Sequence, residues 1–201
     1  MSLVYRNILA AVMAAGMLMT LSAPAANAQD AAAPAAEAPA AADGAAPVAA
    51  TPETLDPLLA GADIDRGREV FAKVGVCVSC HGWDGDGTGK NPRSEGQAAL
   101  LRESHQDAAG FIEIISCGIP GTPMPYHDSA SYKDDRCYGQ TLDQFPEGQA
   151  PRKGKSIRHE DIINLVAYIQ THIQGKPKAT YEDCADYFGA SAEKACAWMK
   201  Q

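Results

Sequence analysis

Apolar residues recur at helical spacing in three stretches of this 201-residue chain, and no segment shows the strict alternation that marks a strand. The first stretch, from about Asp65 to Val74, carries Val70, Phe71 and Val74 on one face and runs into Gly75, a stop signal. The second, from about Gln106 to Ser116, holds Phe111, Ile112, Ile114 and Ile115. The third is the clearest. Ser156 is placed to act as N-cap, Glu160 and Asp161 fall in the early turns, and Ile162, Leu165, Val166, Ile169 and Ile173 repeat with the helical period. The pattern predicts an all-α fold.

The first 57 residues read differently. Arg6 precedes an apolar run from Ile8 to Leu21, and Ala26-Asn27-Ala28 has the small-x-small form of a secretory cleavage site, so residues 1–28 read as a signal peptide. The run is shorter than the roughly 20 residues of a membrane span; the alternative is an uncleaved anchor. Cleavage after Ala28 would release the protein into the periplasm, assuming a bacterial source, with no membrane span left. Residues 29–57 are dominated by alanine and proline and read as a disordered leader, since such a tract cannot bury enough surface to offset its ordering entropy. One domain is expected over 58–174, followed by an extension over 175–201 that packs back on it through Tyr181, Tyr187, Phe188 and Trp198.

Charge narrows the partners. The formal net charge of −8 argues against nucleic acid and is compatible with a basic protein face. The only dense basic cluster, Arg152, Lys153, Lys155 and Arg158, reads as a solvated run before a helix, with docking as the alternative.

The chemistry lies in Cys77-Val78-Ser79-Cys80-His81. Cys-x-x-Cys-His is the attachment motif of a c-type haem: two thiols on one helical turn each bond a vinyl group, and the next residue brings an imidazole to the iron. A thioredoxin-like redox pair would need a strand before the motif, where the pattern is helical. A zinc site would need a second pair of ligands at metal-binding spacing, which the chain lacks.

Gly67 and Phe71 in a first helix, then Cys77 to His81, then a methionine-bearing loop, then Leu165-Val166-Ala167-Tyr168-Ile169 in a last helix resemble a class I c-type cytochrome. The resemblance covers about Asp63 to His172. It implies that the first and last helices cross at Gly67, Phe71 and Tyr168. It also implies that Met124, in Gly121-Thr122-Pro123-Met124-Pro125-Tyr126, is the second axial ligand opposite His81, its thioether favouring ferrous iron. His127 is the rival ligand; His105, His159 and His172 read as surface histidines. Trp83 and Tyr126 are candidates for flanking the haem. With both axial positions filled, the protein is expected to move electrons and to transform no substrate.

Four further cysteines, Cys117, Cys137, Cys184 and Cys196, allow three pairings. The local pairing, Cys117–Cys137 and Cys184–Cys196, is preferred: the first would close a loop around Met124 and the second would staple the C-terminal extension. Asp84, Asp86, Thr88 and Glu95 also match the ligand spacing of a calcium loop, with glycine at its sixth position. Against calcium, Asn91 stands where such loops carry an apolar residue, and the stretch follows the haem motif where a helix would be needed.

The segments around Trp83, Met124 and Cys137-Tyr138-Gly139 resemble small periplasmic cytochromes found with PQQ-dependent alcohol oxidation in methylotrophic bacteria. That resemblance implies a quinoprotein dehydrogenase as donor and a terminal oxidase or another cytochrome as acceptor. The competing expectations are a cytochrome subunit of a stable oxidoreductase complex, and a haem sensor or peroxidase with a displaceable Met124.

Overall fold

A computed structural model of the chain describes residues 50–88 and 98–200. The expected signal peptide, most of the expected leader, and Glu95 therefore lie outside the described residues. Among the described residues the regular structure is helical. The only extended pairings among them are two isolated bridges, Tyr126 with Lys153 and Cys137 with Gln140, and no helix of the described residues is long and apolar enough to cross a membrane.

Helix α1 spans Ile64–Glu69, α2 Val78–His81, α3 Ala108–Cys117, α4 His159–His172, α5 Tyr181–Phe188 and α6 Ala192–Ala195. Asp63 starts α1 by accepting from Arg66 N at 2.9 Å, and Asp107 starts α3 by accepting from Gly110 N at 2.8 Å. The first helix is shorter in α form than its periodicity predicts. From Val70 to Val74 it widens into a π-turn, closed by Gly75 N donating to Val70 O. The left-handed residue that ends it is Val76, not the glycine (φ 57°). Gly75 is small because the Cys77 sulfur and the Ile157 side chain close on its Cα.

The last helix also begins later than Ser156. Ile157 N donates instead to His127 O at 2.9 Å, which ties residues 156–157 to the loop beyond α3, and α4 starts only at His159 with Arg158 as its cap residue. Residues 50–57, the end of the expected leader, form a 3₁₀ turn at Pro52–Thr54 followed by extended chain; Ala50 N donates to Gln170 O and Leu55 packs against the core.

The core forms where α1 crosses α4. Phe71, Ile162, Leu165, Val166 and Ile173 are fully buried there, together with Leu59 from a second 3₁₀ turn at Pro57–Leu59. Burial of such side chains contributes about 1.5–3 kcal/mol each. The crossing is fixed by polar contacts as well: Asp63 N donates to Asn164 Oδ1, and Arg66 forms a two-point bond with the buried Asp161. A second, smaller cluster comprises Cys117, Tyr126, Tyr132 and Cys137, with Tyr138 and Phe145 against it.

Candidate functional site

Cys77, Cys80 and His81 share one short turn. Cys77 N donates to Phe71 O and His81 N to Cys77 O, so only Gly75 and Val76 separate the motif from the end of the first helix. Cys77 is half-buried as a residue, yet burial around its sulfur pushes the thiol up to about 12. The His81 ring faces the Ala99 carbonyl, with Nδ1 3.0 Å from the oxygen. A carbonyl only accepts, so Nδ1 carries the proton and Nε2 is left as the metal-binding nitrogen. Burial lowers the imidazole's proton affinity, and the bond to Ala99 opposes that in part.

Met124 is carried by a loop that closes on itself, with Ile119 N donating to Met124 O at 3.2 Å and Met124 N to Thr122 Oγ1 at 3.2 Å. Its side chain packs against the same core that Cys77 and Val78 pack against. Two residues on, Tyr126 points to the second cluster, its ring 5.3 Å from Tyr132, and so joins the disulfide side of the loop rather than the core that holds Cys77 and Met124. His127 is buried with Nδ1 2.7 Å from the Lys155 carbonyl. His105, His159 and His172 are exposed, and His172 stacks on Tyr168.

The loop is anchored on both sides. Toward α4, Tyr126 N donates to Arg152 O and Gly154 N to Tyr126 O. Toward α3, Cys117 is bonded to Cys137, and Tyr132 and Tyr138 donate to the carbonyls of Cys117 and Gly118. Both tyrosines have left-handed backbones (φ 61° and 56°), which cost about 1–2 kcal/mol each for a residue with a Cβ. Burial pushes the Tyr138 hydroxyl up to about 12, so it donates at any ordinary pH.

Cys184 is bonded to Cys196, joining α5 to the end of α6. This extension covers Trp83, whose ring lies 5.3 Å from Tyr187 and 5.8 Å from Phe188, while Arg68 stacks over Tyr187 and donates to its carbonyl. Arg102 ties the extension to the loop after His81, through Pro177 O on one side and Asp84 on the other. Its Nε is buried and has no partner among the described residues.

Of the calcium-loop residues, Asp84 is buried beside Arg102, and Asp86 Oδ1 accepts from both the backbone and hydroxyl of Thr88. Glu95, the remaining donor, is not among the described residues.

The family model for cytochrome c matches residues 64–172, more than half of the chain. The chain belongs to the cytochrome c family. No curated protein matches it. Family membership makes this a haem-c electron-transfer protein, and the residues of this cytochrome fit the group. The two thiols and the imidazole sit on one turn with the imidazole's tautomer set, and the orphaned Arg102 Nε beside the His81 loop is a donor of the kind a haem carboxylate satisfies. Ala99, Arg102 and the tyrosine anchors have no signature in the sequence, because each partner lies 15 to 75 residues away along the chain.

Proposed function

We propose that this cytochrome is a periplasmic, class I single-electron carrier with His81 and Met124 as axial ligands. It would receive electrons from a quinoprotein alcohol dehydrogenase of the methylotroph type and pass them to an oxidase or another cytochrome. The observation that carries the ligand assignment is the division of the loop. Met124 and Cys77 both pack against the main core cluster, whereas the His127 ring is engaged by the Lys155 carbonyl. Cys77 and Cys80 would anchor the haem, whose iron would supply the one-electron couple. His81, oriented by Ala99, and Met124 would hold the iron between them, which would leave no ligand position for a substrate.

Visible spectra of purified holoprotein in both redox states, with a potentiometric titration and a carbon monoxide challenge, test this reading. A low-spin spectrum with a methionine-to-ferric band, a positive potential and no carbon monoxide binding is expected. Rapid carbon monoxide binding at neutral pH would overturn it in favour of a sensor or peroxidase.

A further inference from the structure

The peptide that joins Gly118 to Ile119 is held at both poles. Its carbonyl accepts from Tyr138 OH at 2.7 Å, and its N–H donates to Met124 O at 3.2 Å. Gly118 itself lies under the loop so closely that a Cβ there would come within 2.7 Å of the Pro125 carbonyl carbon and 2.9 Å of Met124 O. Any rotation of this peptide therefore moves the backbone of Met124.

The neighbouring bond makes a built-in contrast. Tyr132 OH donates to Cys117 O at 2.6 Å, but the N–H of that peptide, on Gly118, returns to Ile114 O inside α3. Tyr132 thus caps the helix, which otherwise leaves its last carbonyls unpaired, whereas Tyr138 acts on the peptide that carries the methionine loop.

Backbone conformation gives a second, independent observation. Tyr138 and Gly139 both have positive φ, and Gln140 N donates to Cys137 O at 3.1 Å, so Cys137 to Gln140 is a tight two-residue turn of the I′ kind. Asparagine, aspartate or glycine suits its first central position; a tyrosine there is strained. The residue that bears the strain is the one whose hydroxyl reaches Gly118, which is the pattern of a conformation kept for its contact.

We propose that Tyr138 is a positioning residue for the distal iron ligand, acting through the Gly118–Ile119 peptide to hold Met124 in place. The proposal rests on the assignment of Met124 as axial ligand. Polarising the shared peptide strengthens both of its hydrogen bonds together. Without the hydroxyl, the peptide is free to tilt, and the thioether yields more readily to a competing ligand.

The test is imidazole displacement of the methionine-to-ferric band in holoprotein, comparing wild type, Tyr138→Phe and Tyr132→Phe, with thermal unfolding measured on each. Both variants keep the ring that packs by the Cys117–Cys137 bond and remove one hydroxyl. Tyr138→Phe should lower the imidazole concentration for half-displacement by about fivefold, the effect of one lost hydrogen bond. Tyr132→Phe should lower the unfolding temperature with the displacement midpoint unchanged. An unchanged midpoint in Tyr138→Phe, or equal shifts in both variants, would overturn the inference while leaving the ligand assignment intact. A wild-type protein with no methionine band would overturn both.

Discussion

Gly67 of α1 meets Asn164 of α4 backbone to backbone: a Cβ on Gly67 would collide with the Asn164 carbonyl oxygen and crowd the Cβ of Tyr168. The crossing of first and last helices is set at this point. Gly67→Ala must separate them, and overpacking of this kind costs about 1–3 kcal/mol. We expect a lower denaturation midpoint and a reduced yield of holoprotein, both measurable by urea unfolding followed in the haem absorption. A variant as stable as wild type would show that the crossing relaxes more easily than its geometry indicates.

The Cys117–Cys137 bond spans 20 residues and encloses the Met124 loop. Replacing both with alanine should cost about 3 kcal/mol in the chain-entropy picture. With Met124 as the proposed iron ligand, the same change should weaken the methionine-to-ferric band at temperatures well below global unfolding, because the loop loses its anchor on α3. Band intensity and far-ultraviolet circular dichroism, recorded through one melt, separate the two effects; coincident transitions would contradict the prediction.

In the C-terminal extension, Cys184–Cys196 closes 12 residues and supports the Tyr187 and Phe188 contacts to Trp83. Double substitution of these cysteines with alanine should raise amide hydrogen exchange in α5 and also in residues 82–87. If exchange rose in the extension alone, the clasp would not stabilise the loop after His81.

His127 supplies a pH dependence. Burial lowers its proton affinity below the ordinary imidazole value, and the Lys155 carbonyl only partly offsets this. The unfolded chain therefore binds the proton more readily, and stability is present above about pH 6.5 and lost as pH falls below it. His127→Gln should flatten that decline relative to wild type, read as the difference in urea midpoint between pH 7.5 and pH 5. Parallel declines in the two proteins would assign the acid sensitivity elsewhere.

What the sequence made legible was contiguous. Cys77, Cys80 and His81 lie within five residues, and the period of α4 is carried by its own side chains. The helix starts were less legible: Ser156 has the chemistry of a cap, but the pull of His127 O on Ile157 N delays the helix to His159. The surroundings of Tyr126 were not legible either: two residues from Met124, it packs in the cluster around the Cys117–Cys137 bond, while Met124 packs against the main core. Ala99 and Tyr138 were not legible at all. Their partners are 18 and 20 residues away along the chain, and any residue can offer the carbonyl that Ala99 offers.

The two disulfides also bear on how six thiols are sorted during maturation. Each half-cystine finds its mate within 20 residues, nearer along the chain than either member of the attachment motif. Short loops close at lower entropic cost, so in an oxidising milieu each of these four cysteines closes on its own mate more readily than on Cys77 or Cys80. Local closure thus removes the four outside competitors and leaves the motif's two sulfurs with only each other as disulfide partners, a sorting written into the spacing of the chain.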